Sequence, residues 1–241
     1  MNTTDTQSQL ETLERDLARA RPRTRTRWVV AAAAAAVVAA LVVVEVRGDD
    51  RSTTPAGPVD VGAATEVAAD FMDALAAYDA ERAVSYLAED AGIELRTSTV
   101  DANSMGPHLR WTRAVGFRLL PGRCELESFS APAATIACSY DAHGLGSERL
   151  GRGPFTDNVL RLIVVDDEIA SGVEELGSDE FEVKVWEPFV AWLVSNRADD
   201  AAFMFADSPW VMRPALSQRS ARLWADNVEE YVRAVERGDA S

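Results

Sequence analysis

The chain has 241 residues and a formal net charge of −15, with 47% hydrophobic and 26% charged residues. This length allows one domain of ordinary size with a hydrophobic core. Residues 1–47 hold seven arginines and five acidic residues, which leaves 17 basic and 34 acidic residues, a net charge of −17, for the rest. A domain this acidic repels phosphate groups, which argues against nucleic acid as a partner.

The first 27 residues form a basic tail. Leu10, Leu13 and Leu17 recur among charged residues with the spacing of a short amphipathic helix. This helix is either a contact site for a cytoplasmic partner or part of a lightly structured tail, and three leucines bury so little area that the tail is favoured. Residues 21–27 alternate arginine with other residues and would lie beside anionic lipid headgroups.

An uncharged segment of seventeen residues, Trp28–Val44, follows the tail. As a helix with a rise of ~1.5 Å per residue it would be about 26 Å long, close to the hydrocarbon thickness of roughly 30 Å. We therefore predict a transmembrane helix over residues 28–46. Two alternatives stay open. One is a buried core helix, because alanine is nearly neutral for membrane insertion, and the other is a cleaved secretory signal, although the 27 residues before the apolar segment are long for a signal peptide.

The distribution of arginine predicts the orientation of this helix. Six arginines precede it, whereas only Arg47 and Arg51 follow closely. The positive-inside rule then puts the N-terminus in the cytoplasm and the C-terminal domain outside the plasma membrane, as a single-pass protein. Residues 47–62 are rich in glycine, proline and charge, without an apolar period, and are predicted to be a flexible linker.

The folded domain, residues 63–237, begins with two helices. The first is predicted from an apolar stripe at helical spacing, Val67, Phe71, Leu75 and Tyr78. Asp79 then offers an N-cap to a second helix over residues 80–88. A strand over residues 93–97 and a third helix over residues 107–116 follow, the latter with a proline in its first turn.

Two strands over residues 123–129 and 133–141 are predicted to form a hairpin. If it is symmetric about Ala131, Cys124 faces Cys138 on one side of the sheet. The Cα atoms of opposed residues lie ~4.5–5.5 Å apart, which a disulfide tolerates, and the predicted location outside the cell permits oxidation. We therefore predict a disulfide between them, with two buried free thiols as the alternative.

A second hairpin is predicted over residues 158–165 and 168–176, and helices over residues 188–196, 201–205 and 216–236 follow it. Helices followed by consecutive strands are typical of an α+β domain. The fold class predicted from the sequence is thus α+β, with helices packed on one face of a curved antiparallel sheet and extra helices at the C-terminal end.

Two segments resemble the SnoaL-like branch of the NTF2-like superfamily. They are residues 68–79 (AADFMDALAAYD) and residues 162–169 (LIVVDDEI), where Asp167 and Glu168 depart from the Gly and Lys of the family's turn. The resemblance covers about residues 63–176, and the segment from Trp186 onward resembles an extension of membrane-tethered actinobacterial relatives. It implies a cone-shaped fold but no particular activity, because the superfamily includes isomerases, dehydratases, cyclases and non-catalytic members.

One weak catalytic constellation can be assembled from the sequence. Its members, from a predicted strand end and from the preceding helical region, are Tyr140, Asp141, His143, Asp101 and His108. If these side chains converged in the cone, a carboxylate beside a tyrosine or histidine donor could abstract a proton next to a carbonyl group. The alternative, which we favour, is a flexible, solvated loop tip over residues 142–146. No metal-ligand spacing or phosphate-binding loop occurs, so neither a metal nor a cofactor is predicted.

The tryptophans allow two interpretations. They either line a pocket for a small apolar ligand or pack in the core. The five tryptophans concerned are Trp111, Trp186, Trp192, Trp210 and Trp224.

The predicted function is a non-catalytic binding or assembly module anchored in the membrane, as a homodimer through its open sheet face or in a membrane-protein complex. One alternative is a small-molecule isomerase or dehydratase with a carboxylate base. The other is a transmembrane sensor acting through the Leu10–Leu17 helix.

Overall fold

The structure is a computed structural model that describes residues 61–95, 98–207, 209 and 212–239. The predicted basic tail, the predicted transmembrane helix over residues 28–46 and nearly all of the predicted linker lie outside the described residues. Among the residues that the structure does describe, no helix is long and apolar enough to cross a membrane.

The second helix begins where the sequence predicts, whereas the first begins at Val61, inside the predicted linker. Helix α1 (Val61–Ala76) buries one stripe, namely Ala64, Ala68, Phe71, Met72, Ala74 and Leu75. Helix α2 (Ala80–Val84) is capped by Asp79, whose carboxylate accepts a hydrogen bond from the Arg82 amide at 3.1 Å. The prediction that α2 extends to residue 88 is wrong, because Leu87 pairs with Ile169 of a distant strand and begins β1 (Leu87–Leu95).

Most of the remaining helices and strands overlap their predicted positions, but β1 begins six residues before the predicted strand, and β2 and a π-helical segment were not predicted. After β1 come β2 (Ser98–Val100), α3 (Met105–Ala114), β3 (Arg118–Ser130), β4 (Ala133–His143), β5 (Phe155–Val165) and β6 (Glu168–Glu175). A π-helical segment (Glu182–Trp186) continues into α4 (Glu187–Asn196), which is followed by α5 (Ala198–Met204) and α6 (Gln218–Arg237). Helix α6 ends at Gly238, whose positive φ of 78° is the left-handed conformation that glycine adopts easily at a helix end.

Within the part of the chain that the structure describes, the strands form one six-stranded sheet with the order β2-β1-β6-β5-β4-β3. The predicted all-antiparallel sheet is wrong at one pair, because β1 lies parallel to β6, whereas the other neighbours are antiparallel. The fold class is therefore α+β with a mixed sheet. Within the β3–β4 hairpin the register matches the prediction: Cys124 lies opposite Cys138, and the two form a disulfide.

Buried residues form two hydrophobic clusters. The first lies between α1 and one face of the sheet and includes Phe71, Met72, Ile136 and Leu162. The second joins α3 to the C-terminal helices and is rich in aromatic rings, among them Trp111, Trp186, Phe189, Trp224 and Tyr231. Phe117, which follows α3, packs against both clusters. The region where the clusters meet contains the cavity described below.

The other face of the sheet carries a group of charges. The guanidinium of Arg161 on β5 pairs with the carboxylate of Glu127 on β3 at 2.8 Å, and it also pairs with Glu175 on β6. These exposed pairs each contribute little to stability, since solvent screens them. A homodimer through this face stays a prediction.

Candidate ligand-binding site

A cavity of about 110 Å³ lies between the sheet, α1, α3 and the segment that leads into the C-terminal helices. Of the described residues, seven aromatic side chains, which we call the aromatic wall, contribute to its lining: Tyr78, Trp111, Phe117, Tyr140, Phe155, Phe181 and Trp186. Most other lining residues are aliphatic, such as Leu75, Leu109 and Leu160. The cavity is thus apolar with a few polar groups, as is usual for small-molecule sites.

Among the described residues of the lining, the charged side chain is Glu174, which the sequence did not single out. The hydroxyl of Tyr140 on β4 donates a hydrogen bond to the carboxylate of Glu174 on β6. The two side chains reach across the intervening strand β5, whose Leu160 pairs with Glu174 in register. This contact holds a carboxylate and a phenol together in the wall of the cavity.

Two other polar side chains of the lining make hydrogen bonds to the main chain. The Asn158 amide nitrogen donates to the carbonyl oxygens of Phe155 at 2.9 Å and Tyr140 at 3.3 Å. The Tyr78 hydroxyl donates to the carbonyl oxygen of Phe117 at 2.6 Å. Burial raises the pKa of Tyr78, although nearby arginines act in the opposite direction. These bonds fix the ends of β4 and β5 and the chain after α3.

His108 lies in the lining as an uncharged side chain. Its exposed fraction is 4%, and burial lowers its pKa from 6.5 to about 4, because the apolar surroundings disfavour the imidazolium form. The Nδ1 atom lies 3.4 Å from the hydroxyl oxygen of Ser98, and the ring is 5.9 Å from Trp111. Near neutral pH, His108 therefore adds hydrogen-bonding capacity to the cavity without adding a positive charge.

Trp111 has a polar atom without a conventional partner. Its indole Nε1 is buried and has no hydrogen-bond acceptor among the described residues. The ring meets Trp224 edge to face at 5.8 Å, with an angle of 83° between their planes. Such an edge-to-face arrangement is favourable for aromatic pairs.

Of the five candidate catalytic residues, the structure brings two to this cavity. His108 and Tyr140 line it, whereas Asp101, Asp141 and His143 are not part of the lining. Asp101 is exposed and accepts hydrogen bonds from the Ser104 amide at 2.8 Å and hydroxyl at 2.6 Å, which lower its pKa. It organises the turn before α3. The role of all five residues in catalysis stays a prediction.

The loop after β4 differs from the flexible, solvated tip that was predicted. His143 is buried, with its Nδ1 3.3 Å from the Ser147 hydroxyl, and Leu145 has an exposed fraction of only 2%. At Gly146, where φ is +73°, an added Cβ would lie 2.2 Å from the Val232 side chain on α6. The loop is held because Leu145 fills the second cluster, a long-range contact that the local sequence does not reveal.

The tryptophans divide between the two interpretations. Trp111 and Trp186 line the cavity and also belong to the second cluster, where Trp192 and Trp224 pack, and Trp210 lies outside the described residues. Glu174 was not predicted as a site residue because a register shift between β5 and β6 changes which residues of β6 face inward.

Across residues 61–95, 98–207, 209 and 212–239, no group of three His, Cys, Asp or Glu side chains could hold a metal ion.

Comparisons with known proteins give structural neighbours only. No protein-family model matches the chain, and no curated protein matches it. Among solved structures, a proposed ketosteroid isomerase from Shewanella frigidimarina is 15% identical, with a TM-score of 0.36, over 47% of this chain and 94% of its own. A proposed polyketide cyclase from Pseudomonas putida is 12% identical, with a TM-score of 0.39, over 49% and 94%.

A third neighbour is an NTF2-like protein of unknown function from Cytophaga hutchinsonii. It is 11% identical, with a TM-score of 0.32, and the match covers 47% of this chain and 88% of the other. The structural neighbours are thus NTF2-like proteins, the superfamily that the two sequence segments resemble. At these identities and TM-scores the likeness carries no conclusion about activity, and the membrane-tethered type stays a prediction.

The state of His108 predicts a loss of stability in acid. The unfolded chain binds a proton at this histidine near pH 6.5, whereas the folded protein does so only near pH 4. The unfolded state therefore binds more protons in this interval, and stability falls as the pH is lowered from about 6.5 to 4, by roughly 3 kcal/mol. Urea unfolding at pH 7.5 and pH 4.5 measures this loss, and His108→Gln should reduce it. An equal loss in both proteins would contradict the prediction.

Proposed function

We propose that residues 61–239 form a binding domain for a small, mostly apolar molecule held in the cavity beside the aromatic wall. The observation that carries this proposal is the space itself: about 110 Å³ remains unfilled between two hydrophobic clusters that otherwise bury large side chains. Protein cores are normally packed with few voids larger than a water molecule. An apolar cavity of ~150 Å³ binds benzene, so a ligand with about the volume of one ring is expected.

The proposal is tested by filling the cavity. Ala142 lines it from β4, and Ala142→Leu should weaken binding of cyclohexanone at least tenfold, because the added side chain occupies the ligand's space. Ala137→Leu is the matched control, since Ala137 lies on the same strand but outside the lining. Saturation-transfer NMR on the full-length protein measures both affinities. Equal binding to the two variants and the unchanged protein would contradict the proposal, as would no binding at all.

A second candidate function follows from the hydrogen bond between Tyr140 and Glu174. A carboxylate in an apolar cavity beside a phenol is suited to removing a proton next to a carbonyl group. The NMR experiment discriminates between the two functions when it is carried out in D₂O. Loss of the cyclohexanone signals next to the carbonyl would indicate proton transfer, provided that Glu174→Gln abolishes it, whereas unchanged signals support binding alone.

We also propose that the domain is displayed outside the cell on a membrane anchor. The support is in the sequence: Trp28–Val44 carries no charge, and six arginines precede it. Protease added to intact cells should remove an epitope placed after residue 239, while an epitope at the N-terminus survives. An intact C-terminal epitope would overturn the proposed location.

A further inference from the structure

We infer that the ligand of this cavity is a one-ring phenol, an aromatic ring with a hydroxyl group, whose hydroxyl forms a hydrogen bond with Nε2 of His108. The ring of such a molecule would pack against the aromatic wall. This inference rests on the proposed binding function and names the chemical class of its ligand.

The first argument is the hydrogen-bonding capacity that His108 has left. Its Nδ1 atom lies 3.4 Å from the hydroxyl oxygen of Ser98, a residue that is not part of the lining. Within the part of the chain that the structure describes, the other ring nitrogen, Nε2, has no hydrogen-bonding contact, although the side chain is buried and lines the cavity. Buried polar atoms normally have a partner, so a ligand that supplies one to Nε2 is favoured.

The second argument is the type of group that Nε2 can bind. His108 is uncharged near neutral pH because its pKa is about 4, so one ring nitrogen carries a proton and the other does not. The Ser98 hydroxyl is compatible with a proton on either nitrogen, since it can both donate and accept. A hydroxyl group on the ligand has the same property and matches Nε2 in both tautomers. A carbonyl group only accepts, and an ammonium group only donates.

The third argument is the aromatic character of the space beside His108. The ring of Trp111, one turn later in α3, lies 5.9 Å from the imidazole, and both side chains line the cavity. The other rings of the aromatic wall favour an aromatic ligand, because they can pack against it offset or edge to face. The Trp111 Nε1 atom is also buried without an acceptor among the described residues. A hydroxyl oxygen is an acceptor of the kind that it lacks, whereas a hydrocarbon offers none.

Two molecules of nearly the same shape test the inference. They are p-cresol and p-xylene, in which a methyl group replaces the hydroxyl group. Water solvates a hydroxyl group better than a methyl group, so an apolar cavity that offers no hydrogen bond binds p-xylene more tightly. Isothermal titration calorimetry with the full-length protein should instead show p-cresol binding at least as tightly as p-xylene, because the bond to His108 offsets the lost hydration.

Substitution of each histidine in turn provides the second readout. His108→Leu keeps a similar volume but removes the ring nitrogens, and it should weaken p-cresol binding about tenfold while the affinity for p-xylene changes less than about threefold. His143→Leu is the matched control, because His143 is also buried, with its Nδ1 3.3 Å from a serine hydroxyl, but is not part of the lining. It should leave both affinities nearly unchanged. The affinity for p-xylene also reports whether the cavity of each variant is intact.

A measurement on the unchanged protein does not depend on how either variant folds. The chain has two histidines, so few imidazole nitrogen signals arise in its ¹⁵N NMR spectrum. Addition of p-cresol should shift the Nε2 signal of His108, because a new hydrogen bond changes the electron density at that nitrogen. The signals of His143 should stay in place, and p-xylene should shift neither histidine. Bound p-cresol that leaves the His108 nitrogens unshifted would overturn the inference.

The outcomes separate the inference from the proposed function. If p-xylene binds more tightly than p-cresol, or if His108→Leu affects the two molecules equally, the phenol inference is overturned while the binding function stands. The same holds if neither molecule binds but cyclohexanone does. If none of the three binds, both are overturned. Binding of p-cresol that is at least as tight as that of p-xylene, selectively weakened in His108→Leu and kept in His143→Leu, supports the inference.

Discussion

Replacing Trp224 with alanine is expected to lower the free energy of unfolding by about 3–5 kcal/mol, the range found for large aromatic residues in well-packed cores. The Trp224 side chain is 0% exposed. Its ring lies within 6 Å of four others, those of Trp111, Trp186, Phe189 and Phe205. Its indole Nε1 also donates to the Met204 carbonyl oxygen at 3.0 Å. Truncation would remove all of these contacts and leave a large cavity.

Two further variants separate packing from other effects. Trp224→Phe keeps a ring in place but loses the hydrogen bond to Met204, and we expect a cost of about 1–2 kcal/mol. Phe203→Ala removes an aromatic side chain that is 48% exposed and contacts Arg219, so it should cost less than about 1 kcal/mol. Urea unfolding of the full-length protein measures all three. A similar loss for Trp224→Ala and Phe203→Ala would contradict the central role of Trp224.

The second cluster joins residues from distant parts of the chain. Trp111 on α3 and Val115, which directly follows α3, belong to the same cluster as residues of α6, more than one hundred positions later. The C-terminal helices therefore form one side of the region that holds the cavity, and Trp186 contributes to the lining itself. The stability of the second cluster and the shape of the cavity are expected to change together, because some of the same aromatic rings pack in the cluster and line the cavity.

Local sequence patterns predicted the parts of the fold that depend on neighbouring residues. The N-cap at Asp79 was predicted because it requires only residues three positions apart. The facing cysteines Cys124 and Cys138 were predicted because a short hairpin fixes its own register. The parallel pairing of β1 with β6 was not, because β2 to β5 separate the two strands in the sequence and alternation within a strand does not identify its partner.

The candidate site was predicted less completely than the fold, because its residues come together through strand pairings that local sequence patterns do not reveal. His108 and Tyr140 attracted attention by residue type alone, and both line the cavity. Glu174 did not, since 39 acidic residues make a single glutamate uninformative. Its place in the lining depends on a register shift in the β5–β6 pair and on the Tyr140 hydroxyl two strands away. Neither can be derived from the spacing of residues in the sequence.

Removing the Cys124–Cys138 disulfide is expected to lower the free energy of unfolding by about 2–4 kcal/mol. The two cysteines are fourteen positions apart, and closing a loop of ~15 residues restricts the unfolded chain by about 3 kcal/mol in the loop-entropy description. The bond also ties the edge strand β3 to β4, whose Tyr140 lies in the cavity lining. Urea unfolding with and without a phosphine reductant measures the effect.

The double variant Cys124→Ala, Cys138→Ala is the control, because the reductant should leave its stability unchanged. Equal stability of the oxidised and reduced protein would contradict the prediction. The same bond also reports on location, since disulfides persist outside the cytoplasm and are rare within it. Alkylation of thiols at the moment of cell lysis, followed by mass spectrometry, should find both cysteines unmodified and joined. Two alkylated cysteines would mean that the domain resides in a reducing compartment, which is incompatible with display outside the membrane.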